Sequence, residues 1–334
     1  MVKNNGIFIL SELIGEKIHP ITYELLGKGR ELANKLNTCL SSIILGYNIK
    51  ELAKELIYYG SDKVYVYDHP LLKNLDILLY KHNIVKLILE EKPSIFLIGA
   101  TPFGRSLGPR IAAALNTGLT ADCIDLDIDE EGNLIQIRPA FSGNIIAYIK
   151  TSTRPQMCTI RYKTMKPAIK DIKRNGEIIN KNVEILNNKN IEILEIIKAR
   201  EINISDANVI VSAGRGLKKP EDFSMIKELA DLLGGMVGAS RPLVDEGWIS
   251  KEHQVGFSGN TVKPKLYIAC GISGSPQHLF GMRDSEIIIA INIDPSAPIF
   301  RIANYGIIGD MYKIIPRLIE EIKRRLKSKN ERNN

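Results

Sequence analysis

The sequence predicts an α/β protein with two Rossmann-like domains, and three observations support this fold class. Short apolar runs rich in Ile, Val and Tyr alternate with segments of helical period in both halves of the chain. A chain of 334 residues with 44% hydrophobic residues can bury two cores of ordinary size. A polar, Lys- and Asn-rich stretch at 163–203 separates the halves. We therefore place an N-terminal α/β domain at 1–200 and a C-terminal domain at 201–334.

The first domain opens with strands that alternate with helices. Strands are predicted at 7–11, 40–46, 63–68 and 94–100. Between the last two lies a segment of helical period, formed by Leu75, Leu78, Leu79, His82, Val85, Ile88 and Leu89. This alternation predicts a parallel sheet with helices on its faces. From 119 to 151 the short runs are joined by turn residues instead, which predicts antiparallel hairpins that close the domain.

The second domain resumes the alternation of strand and helix. Strands are predicted at 207–214, 236–240, 266–271, 286–294 and 299–306. One helix opens at Pro220 and ends at Gly234 and Gly235, and another starts near Pro276. The last helix carries one apolar stripe, formed by Met311, Ile314, Ile315, Leu318, Ile319 and Ile322. Pro316 should remove one hydrogen bond from that helix and bend it.

Charge and cysteine content exclude several classes of protein. The formal charge is +7, but most of the surplus lies in a basic tail after Glu321, which is typical of a solvated helix end and not of a nucleic-acid surface. Cys39, Cys123, Cys158 and Cys270 show no metal-ligand spacing and indicate a reducing compartment. The chain shows neither a signal peptide nor an apolar run near the ~20 residues of a membrane span. We expect a cytoplasmic protein without a metal site.

Residues suited to ligand binding follow the strands of the second domain. Arg215 lies between Gly214 and Gly216, although the third glycine of a G-x-G-x-x-G fingerprint is missing. Ser240 and Arg241 follow the next strand, and an arginine there offers a rigid donor fork to a phosphate or an electron-rich ring. Because ligands of open α/β sheets bind at the carboxyl ends of strands, we expect these residues on one edge.

The stretch at 270–282 carries the strongest local signal. Gly271, Ser273 and Gly274 let the backbone approach a ligand, and the helix starting near Pro276 directs its N–H groups outward. A charged His278 in the first turn of that helix is unfavourable, which indicates an anionic group opposite. The loop 253–260 presents Ser258 nearby, and Asn292 and Asp310 end later strands. Asp310 is equally consistent with a helix N-cap.

Several stretches together resemble the alpha subunit of electron-transfer flavoproteins. They are "VIVSAGRGL", "ELADLLGGMVGASRPLVDEGWI", "QVGFSGNTVKPKLYIACGISGSPQHLFGM", "IIIAINIDPSAPIFRIANYGIIGDMYKIIP" and "TRPQMCTIR". The resemblance is collinear over 207–318 and looser over the first domain. It implies FAD extended across the second domain, and a beta subunit that completes a heterodimer against the first. It also implies an electron carrier without substrate turnover, which accepts electrons from dehydrogenases, as in fatty acid oxidation, and passes them to a quinone oxidoreductase or other acceptor.

The resemblance also assigns individual positions. The phosphate, ribose and adenine portions and the chain between them would contact Arg215, Ser240, Ser273, Gly274, Ser275, Pro276, Gln277, Asn292, Asp310 and Met311. The loop against the flavin would be Val255, Gly256, Phe257 and Ser258, and the residues beside the isoalloxazine would be Arg241 and His278. The family has Gln-Thr where this chain has Phe257 and Ser258, so the flavin potential should differ. His278 would stabilise reduced flavin either as a cation or as a neutral donor.

Three other interpretations remain open from the sequence. A nicotinamide-dependent oxidoreductase would use the second domain for NAD, and a nucleic-acid-binding protein would rest on the basic tail alone. In the first domain, "GATPFGRSLGPR" follows a strand and contains Arg105 and Arg110. It permits a nucleotide site, although a tight strand–helix turn is the favoured interpretation.

Overall fold

A computed structural model of the chain describes residues 5–140, 145–186, 195 and 204–333, with backbone alone for 328–333. The chain divides into two compact units, Met1–Glu192 and Ile193–Asn334. The domain boundary predicted at 200 lies outside the described residues.

The first unit is built on a seven-stranded parallel sheet. The strands of the whole unit are β1 Ile7–Ser11, β2 Leu13–Ile14, β3 Lys17–Ile18, β4 Leu40–Gly46, β5 Lys63–Asp68, β6 Ile95–Gly99, β7 Leu119–Cys123, β8 Asp125–Ile128, β9 Leu134–Ala140, β10 Ile145–Ile149, β11 Gln156–Ile160 and β12 Glu177–Asn180. Its helices are α1 Pro20–Lys35, α2 Lys50–Tyr58, α3 Ile77–Glu91 and α4 Pro102–Ala114. The sheet order is β12-β5-β4-β1-β6-β11-β7, and all neighbours pair in parallel.

Successive side chains of each strand point to opposite faces of this sheet, and helices cover both faces. In β1, Ile7 and Ile9 join the core that contains α1 and α2, whereas Phe8 and Leu10 join the core that contains α3 and α4. All four side chains are buried, as expected for a strand between two helix layers. The predicted parallel sheet is therefore confirmed.

Three details of the first unit differ from the prediction. The hairpins exist as the antiparallel sheet β10-β9-β8, but β7 joins the parallel sheet beside β11. The polar stretch after 163 contributes β12, which was not predicted. In α3 the buried face carries the predicted Leu79 and Ile88 and also Ile84 and Leu87, whereas Leu75 precedes the helix and Leu89 is exposed. A helix with apolar residues on several sides does not reveal its buried face by spacing alone.

The second unit is a five-stranded parallel sheet. Its strands are β13 Val209–Ala213, β14 Met236–Ala239, β15 Leu266–Cys270, β16 Ile287–Asn292 and β17 Tyr305–Ile308, and its helices are α5 Phe223–Leu232, α6 Arg241–Asp245, α7 Pro276–Met282 and α8 Met311–Asn333. The order is β14-β13-β15-β16-β17, so the winding direction reverses between β13 and β15. Such a switch point opens a crevice at the carboxyl edge of the sheet.

Both faces of the second sheet are also covered. Val211 and Ile268 pack with α5 and α8, and the predicted stripe of α8 is confirmed by the burial of Ile315 and Ile319. The helix continues through Pro316, and the bend stays a prediction. On the opposite face, Tyr267 lies in the core together with Met282 of α7.

The strand predicted at 299–306 is wrong over 299–304. Pro298–Arg301 form a 3-10 helix, and β17 begins only at Tyr305. Pro298 has a fixed φ and lacks the N–H that a strand ladder requires, so it starts a helical turn instead.

Candidate functional site

A cavity of about 620 Å³ lies at the carboxyl edge of the second sheet, at the switch point between β13 and β15. It is lined by residues at the carboxyl ends of five strands, namely Gly214, Ser240, Gly271, Asn292 and Gly309. We call it the strand-end cavity. Its volume is in the range of cofactor sites, and its position is the one expected for a ligand of an open α/β sheet.

Two glycine turns in contact shape the floor of the strand-end cavity. Gly216 N donates to Gly271 O at 3.1 Å, and Gly214 N donates to Cys270 O at 3.0 Å. Gly271 has φ +62°, and a Cβ there would lie 2.7 Å from Gly216 Cα. A side chain at Gly271 would therefore be strained and would collide with backbone. The glycines keep the two turns together and leave the backbone exposed to a ligand.

His278 lines this cavity from the first turn of α7 and is buried, with 5% of its surface exposed. Its Nε2 lies 3.0 Å from the Tyr267 hydroxyl, whereas Nδ1 has no hydrogen-bond partner among the described residues. Burial lowers the pKa of His278 from 6.5 to about 4. The nearby backbone of Val255 acts in the opposite direction, although it forms no hydrogen bond with Nδ1 in the structure. The imidazole is neutral at pH 7. Of the two predicted states of His278, the protein environment favours the neutral donor over the cation.

Asn292 and Asp310 line the cavity but also have structural roles. Asn292 Nδ2 donates to Ile272 O at 2.9 Å, and its Oδ1 accepts from Asp294 N at 3.0 Å. Asp310 Oδ1 accepts from Tyr312 N at 2.9 Å, so it caps the first turn of α8. Asn292 therefore holds the turn after β15 in place, and Asp310 is a helix cap that also lines the cavity, whereas its contact with a ligand stays a prediction.

The loop 253–260 packs beside α7 and does not line the strand-end cavity. Phe257 N donates to Gln277 O at 2.8 Å, and Gly256 lies so close to α7 that a Cβ on Gly281 would meet Gly256 N at 2.4 Å. Val255 is buried, whereas Phe257 is 61% exposed and packs edge-on against Phe280 at 5.1 Å. The Ser258 hydroxyl accepts from Gln254 Nε2 at 3.0 Å. The loop thus presents an aromatic ring and a hydroxyl at the surface.

Arg241 begins α6 directly after Ser240, which lines the cavity. Its Nε donates to Asp245 Oδ2 at 3.0 Å, and 66% of its side chain is exposed. Exposed ion pairs of this kind contribute about 0–1 kcal/mol. The guanidinium is therefore held only weakly and can exchange its partner for a ligand.

The structure brings together nine of the sixteen predicted site residues in one cavity. Those that line it are Arg215, Ser240, Ser273, Gly274, Ser275, His278, Asn292, Asp310 and Met311. Those that do not are Arg241, Val255, Gly256, Phe257, Ser258, Pro276 and Gln277. Several of the latter lie in α7 or contact it, so they border the cavity wall without lining it.

Sequence reasoning missed several lining residues, and two of them, Lys218 and Tyr312, are joined by polar contacts. Lys218 Nζ lies 4.7 Å from the centre of the Tyr312 ring, and Lys218 N donates to the Tyr312 hydroxyl at 2.7 Å. The Tyr312 hydroxyl donates to Asp222 Oδ2 at 2.5 Å, and burial together with Asp222 raises the pKa of Tyr312. Lys218 follows a glycine turn like Arg215, which is the signal that could have identified it. Lys218 and Arg215 place two exposed cations at the cavity, which also contains the carboxylates of Asp294 and Asp310.

The predicted strand–helix turn of the first unit uses its polar groups internally. Thr101 caps α4 by accepting from Gly104 N at 3.0 Å and donates to Glu12 Oε2 at 2.6 Å. Burial raises the pKa of Glu12 to about 7. Arg105 Nε donates to Ala100 O at 2.8 Å, and Arg110 donates to Ser106 Oγ at 3.0 Å. These contacts favour the tight turn over a nucleotide site.

Among the described residues, no group of three or more His, Cys, Asp or Glu is placed to hold a metal ion. Within the same residues, no helix is long and apolar enough to cross a membrane.

Both units of the chain are similar in sequence to known proteins. Residues 7–186 match the electron transfer flavoprotein domain, and residues 203–283 match the electron transfer flavoprotein FAD-binding domain. The electron transfer flavoprotein subunit alpha of Thermoanaerobacterium thermosaccharolyticum is 52% identical, over 95% of this chain and 98% of that protein. The subunit alpha of Megasphaera elsdenii is 45% identical, over 97% and 98%. Subunit LctC of the lactate dehydrogenase (NAD(+),ferredoxin) of Acetobacterium woodii is 47% identical, over 95% and 77%.

The strand-end cavity fits the cofactor of this domain, FAD. The glycine turns leave room for a dinucleotide to contact the protein backbone. Arg215 and Lys218 are exposed cations at the mouth of the cavity. The buried Nδ1 of His278, which has no hydrogen-bond partner in the described part of the chain, offers one hydrogen bond to a ligand. With both domains matched in order along the chain, the protein belongs to the electron transfer flavoprotein alpha-subunit family.

Proposed function

We propose that this chain is the FAD-binding subunit of a heterodimer with an electron-transfer flavoprotein beta subunit. The complex takes electrons from dehydrogenases and passes them to a quinone oxidoreductase or another redox acceptor, and it turns over no substrate of its own. The observation that carries the proposal is the strand-end cavity, whose buried neutral histidine and glycine turns lie in the domain matched to FAD binding.

The dinucleotide end of FAD would be held by residues at the turns after the strands. The proposed contacts are Arg215, Ser240, Ser273, Gly274, Ser275, Pro276, Gln277, Asn292, Asp310 and Met311. Arg215 and Lys218 are exposed cations at the mouth and would face the pyrophosphate. Asp310 Oδ1 is engaged as the helix cap, so a ribose hydroxyl would contact its other oxygen.

The ring end would lie where α6, α7 and the loop 253–260 border the cavity. FAD, when bound there, supplies one-electron and two-electron redox chemistry. His278 would donate a hydrogen bond from a buried nitrogen, and Arg241 would provide a fixed positive charge. Both favour added electron density over the oxidised form. Val255–Ser258 would cover the ring, with Phe257 excluding water and the Ser258 hydroxyl supplying a polar contact.

The proposed partners are a beta subunit, dehydrogenases and a downstream acceptor. The first unit presents apolar side chains on β10, where Tyr148 is 71% exposed and Ile145 is 52% exposed. Exposed apolar residues on an antiparallel sheet suit a subunit interface, so we assign this surface to the beta subunit. A relative is named as a subunit of a lactate dehydrogenase, which supports direct docking of a dehydrogenase. Four free cysteines support a cytoplasmic location.

Co-expression with a beta subunit tests the proposal. The purified complex should be yellow and should retain FAD, with the flavin-to-protein ratio showing whether the beta subunit adds a second one. A colourless complex that takes up no FAD on incubation with excess cofactor would contradict the proposal. Retention of NAD instead of flavin would support the nicotinamide-dependent alternative. His278→Ala and Arg215→Ala should weaken FAD retention, whereas exposed Arg317→Ala on α8 should not.

A further inference from the structure

We infer that Tyr267 is a positioning residue that fixes His278 in the tautomer protonated at Nδ1, so that the histidine presents a hydrogen-bond donor to the cofactor. This inference rests on the proposed FAD site and goes beyond it by naming the residue that sets the donor. Tyr267 itself lies in the core of the second unit and not among the residues that line the strand-end cavity.

The contact between the two side chains follows from the fold. Tyr267 lies on β15 and is fully buried, with its side chain on the sheet face that α7 covers. His278 lies in the first turn of α7, which starts after the turn that follows the same strand. The Tyr267 hydroxyl and His278 Nε2 are 3.0 Å apart. The packing of α7 on this face of the sheet brings the two side chains to this distance.

The direction of this hydrogen bond decides the tautomer. Burial raises the pKa of Tyr267 well above its usual range, although the nearby Ser212 hydroxyl acts in the opposite direction, so the phenol keeps its proton. If Nε2 donated instead, the phenol proton would need another acceptor. Ser212 is the neighbouring candidate, but its Oγ has no hydrogen-bond partner among the described residues. The phenol therefore donates to Nε2, and the proton of the neutral imidazole resides on Nδ1.

This tautomer determines which hydrogen bond His278 can form with a ligand. Nδ1 of His278 is buried and has no protein partner among the described residues, so its N–H is a donor that a bound molecule can satisfy. An acceptor atom that gains negative charge on reduction profits more from such a donor than the same atom in the oxidised state. Tyr267 thus acts on the cofactor through His278, without contacting it.

The tautomer can be observed in the chain without cofactor. We would record long-range proton–nitrogen spectra of the full ¹⁵N-labelled chain and assign His278 by the signals that disappear in His278→Gln. The wild-type spectrum should show Nδ1 protonated and Nε2 unprotonated. Nε2 protonated in the wild type would overturn the inference, and this result requires no variant of Tyr267 to fold.

The variant Tyr267→Phe removes only the hydroxyl and should shift His278 toward the Nε2-protonated tautomer. Tyr305→Phe, at an exposed position of β17, is the matched control and should leave the spectrum unchanged. An unchanged tautomer in a folded Tyr267→Phe would contradict the role of the hydroxyl.

A redox titration of the FAD-loaded heterodimer then tests the effect on the cofactor. Tyr267→Phe should weaken the binding of reduced relative to oxidised FAD by up to about tenfold, which lowers a one-electron potential by up to about 59 mV. An altered tautomer with an unchanged potential would show that the donor does not face the flavin and would overturn the inference. A wild-type complex that binds no FAD would instead refute the proposed function, and the tautomer measurement would still stand.

Discussion

At the scale of single residues, two nitrogen-containing side chains near the proposed flavin differ in how the protein holds them. His278 is buried and neutral, so its contribution depends on the orientation of one proton. Arg241 is always charged, largely exposed and paired with Asp245. Solvent screens an exposed charge, and its pairing with a carboxylate cancels part of its field. The potential at the ring should therefore respond to Asp245 as well as to Arg241.

We predict that Arg241→Ala lowers the flavin potential by tens of millivolts, or roughly 1 kcal/mol. Asp245→Asn should raise it, because it releases the guanidinium from its carboxylate partner. Redox titration of the two loaded variants measures both effects. Arg317→Ala removes one exposed charge from α8 and is the control for net charge. Equal potentials in all three variants would exclude Arg241 from the surroundings of the ring.

At the scale of elements, the contact between the turns after β13 and β15 is the feature that shapes the strand-end cavity. Gly271 and Gly234 have nearly the same φ, +62° and +64°, but different surroundings. A Cβ at Gly271 would lie 2.7 Å from Gly216 Cα, whereas a Cβ at Gly234 would meet no atom of the described residues within 4 Å. Substitutions at these two glycines therefore distinguish the cost of backbone strain from the cost of steric crowding.

We predict that Gly234→Ala destabilises the second unit by about 1–2 kcal/mol, the cost of a left-handed alanine. Gly271→Ala should cost a further 1–3 kcal/mol or so, because the two turns must move apart. It should also reduce FAD retention, which Gly234→Ala should leave intact. Urea unfolding and flavin quantification measure these effects. Equal destabilisation by both substitutions would mean that the turns separate easily.

Most elements could be predicted from the sequence because strand and helix patterns are local. The strands at 40–46 and 63–68 were predicted with their observed limits, since both are continuous buried runs. β12 was missed because its side chains are mostly exposed and only its pairing with β5 makes it a strand. Such a strand depends on a partner more than a hundred residues away, which no local pattern shows.

At the scale of the whole molecule, one buried group in each unit, Glu12 or His278, makes a contribution to stability that depends on pH, and these two contributions run in opposite directions. Burial raises the pKa of Glu12 from 4.5 to about 7, so this group stabilises the first unit fully below pH 4.5 and loses that contribution as pH rises to about 7. Burial lowers the pKa of His278 from 6.5 to about 4. Its contribution to the second unit is complete above pH 6.5 and is lost as pH falls to about 4.

We predict that Glu12→Gln removes a pH dependence on the order of 3 kcal/mol from the first unit, and that His278→Gln removes a comparable one from the second. Native-state hydrogen exchange, followed separately on β1 and β15, measures the stability of each unit. Glu12→Gln serves as the control for the second unit, and His278→Gln for the first. A pH profile of the first unit that Glu12→Gln leaves unchanged, or of the second unit that His278→Gln leaves unchanged, would contradict the prediction.

The site could be predicted in part, and the limit has a physical cause. Turn residues such as Ser273 and Gly274 could be identified, because small residues directly after a buried strand are typical of a turn that admits a ligand. Tyr267 gives no such signal, since a tyrosine within an apolar strand is typical of a core. The packing of α7 on β15 brings its hydroxyl to His278. Polar contacts between elements depend on tertiary structure, which spacing along the chain does not encode.

The place of β12 at the edge of the first sheet has a consequence for synthesis of the chain on the ribosome. Its residues, 177–180, pair with 63–66, so that sheet is complete only after more than half of the 334 residues have been translated. Until then the growing polypeptide exposes the unpaired border of β5, and a chaperone that binds nascent chains would find its substrate there.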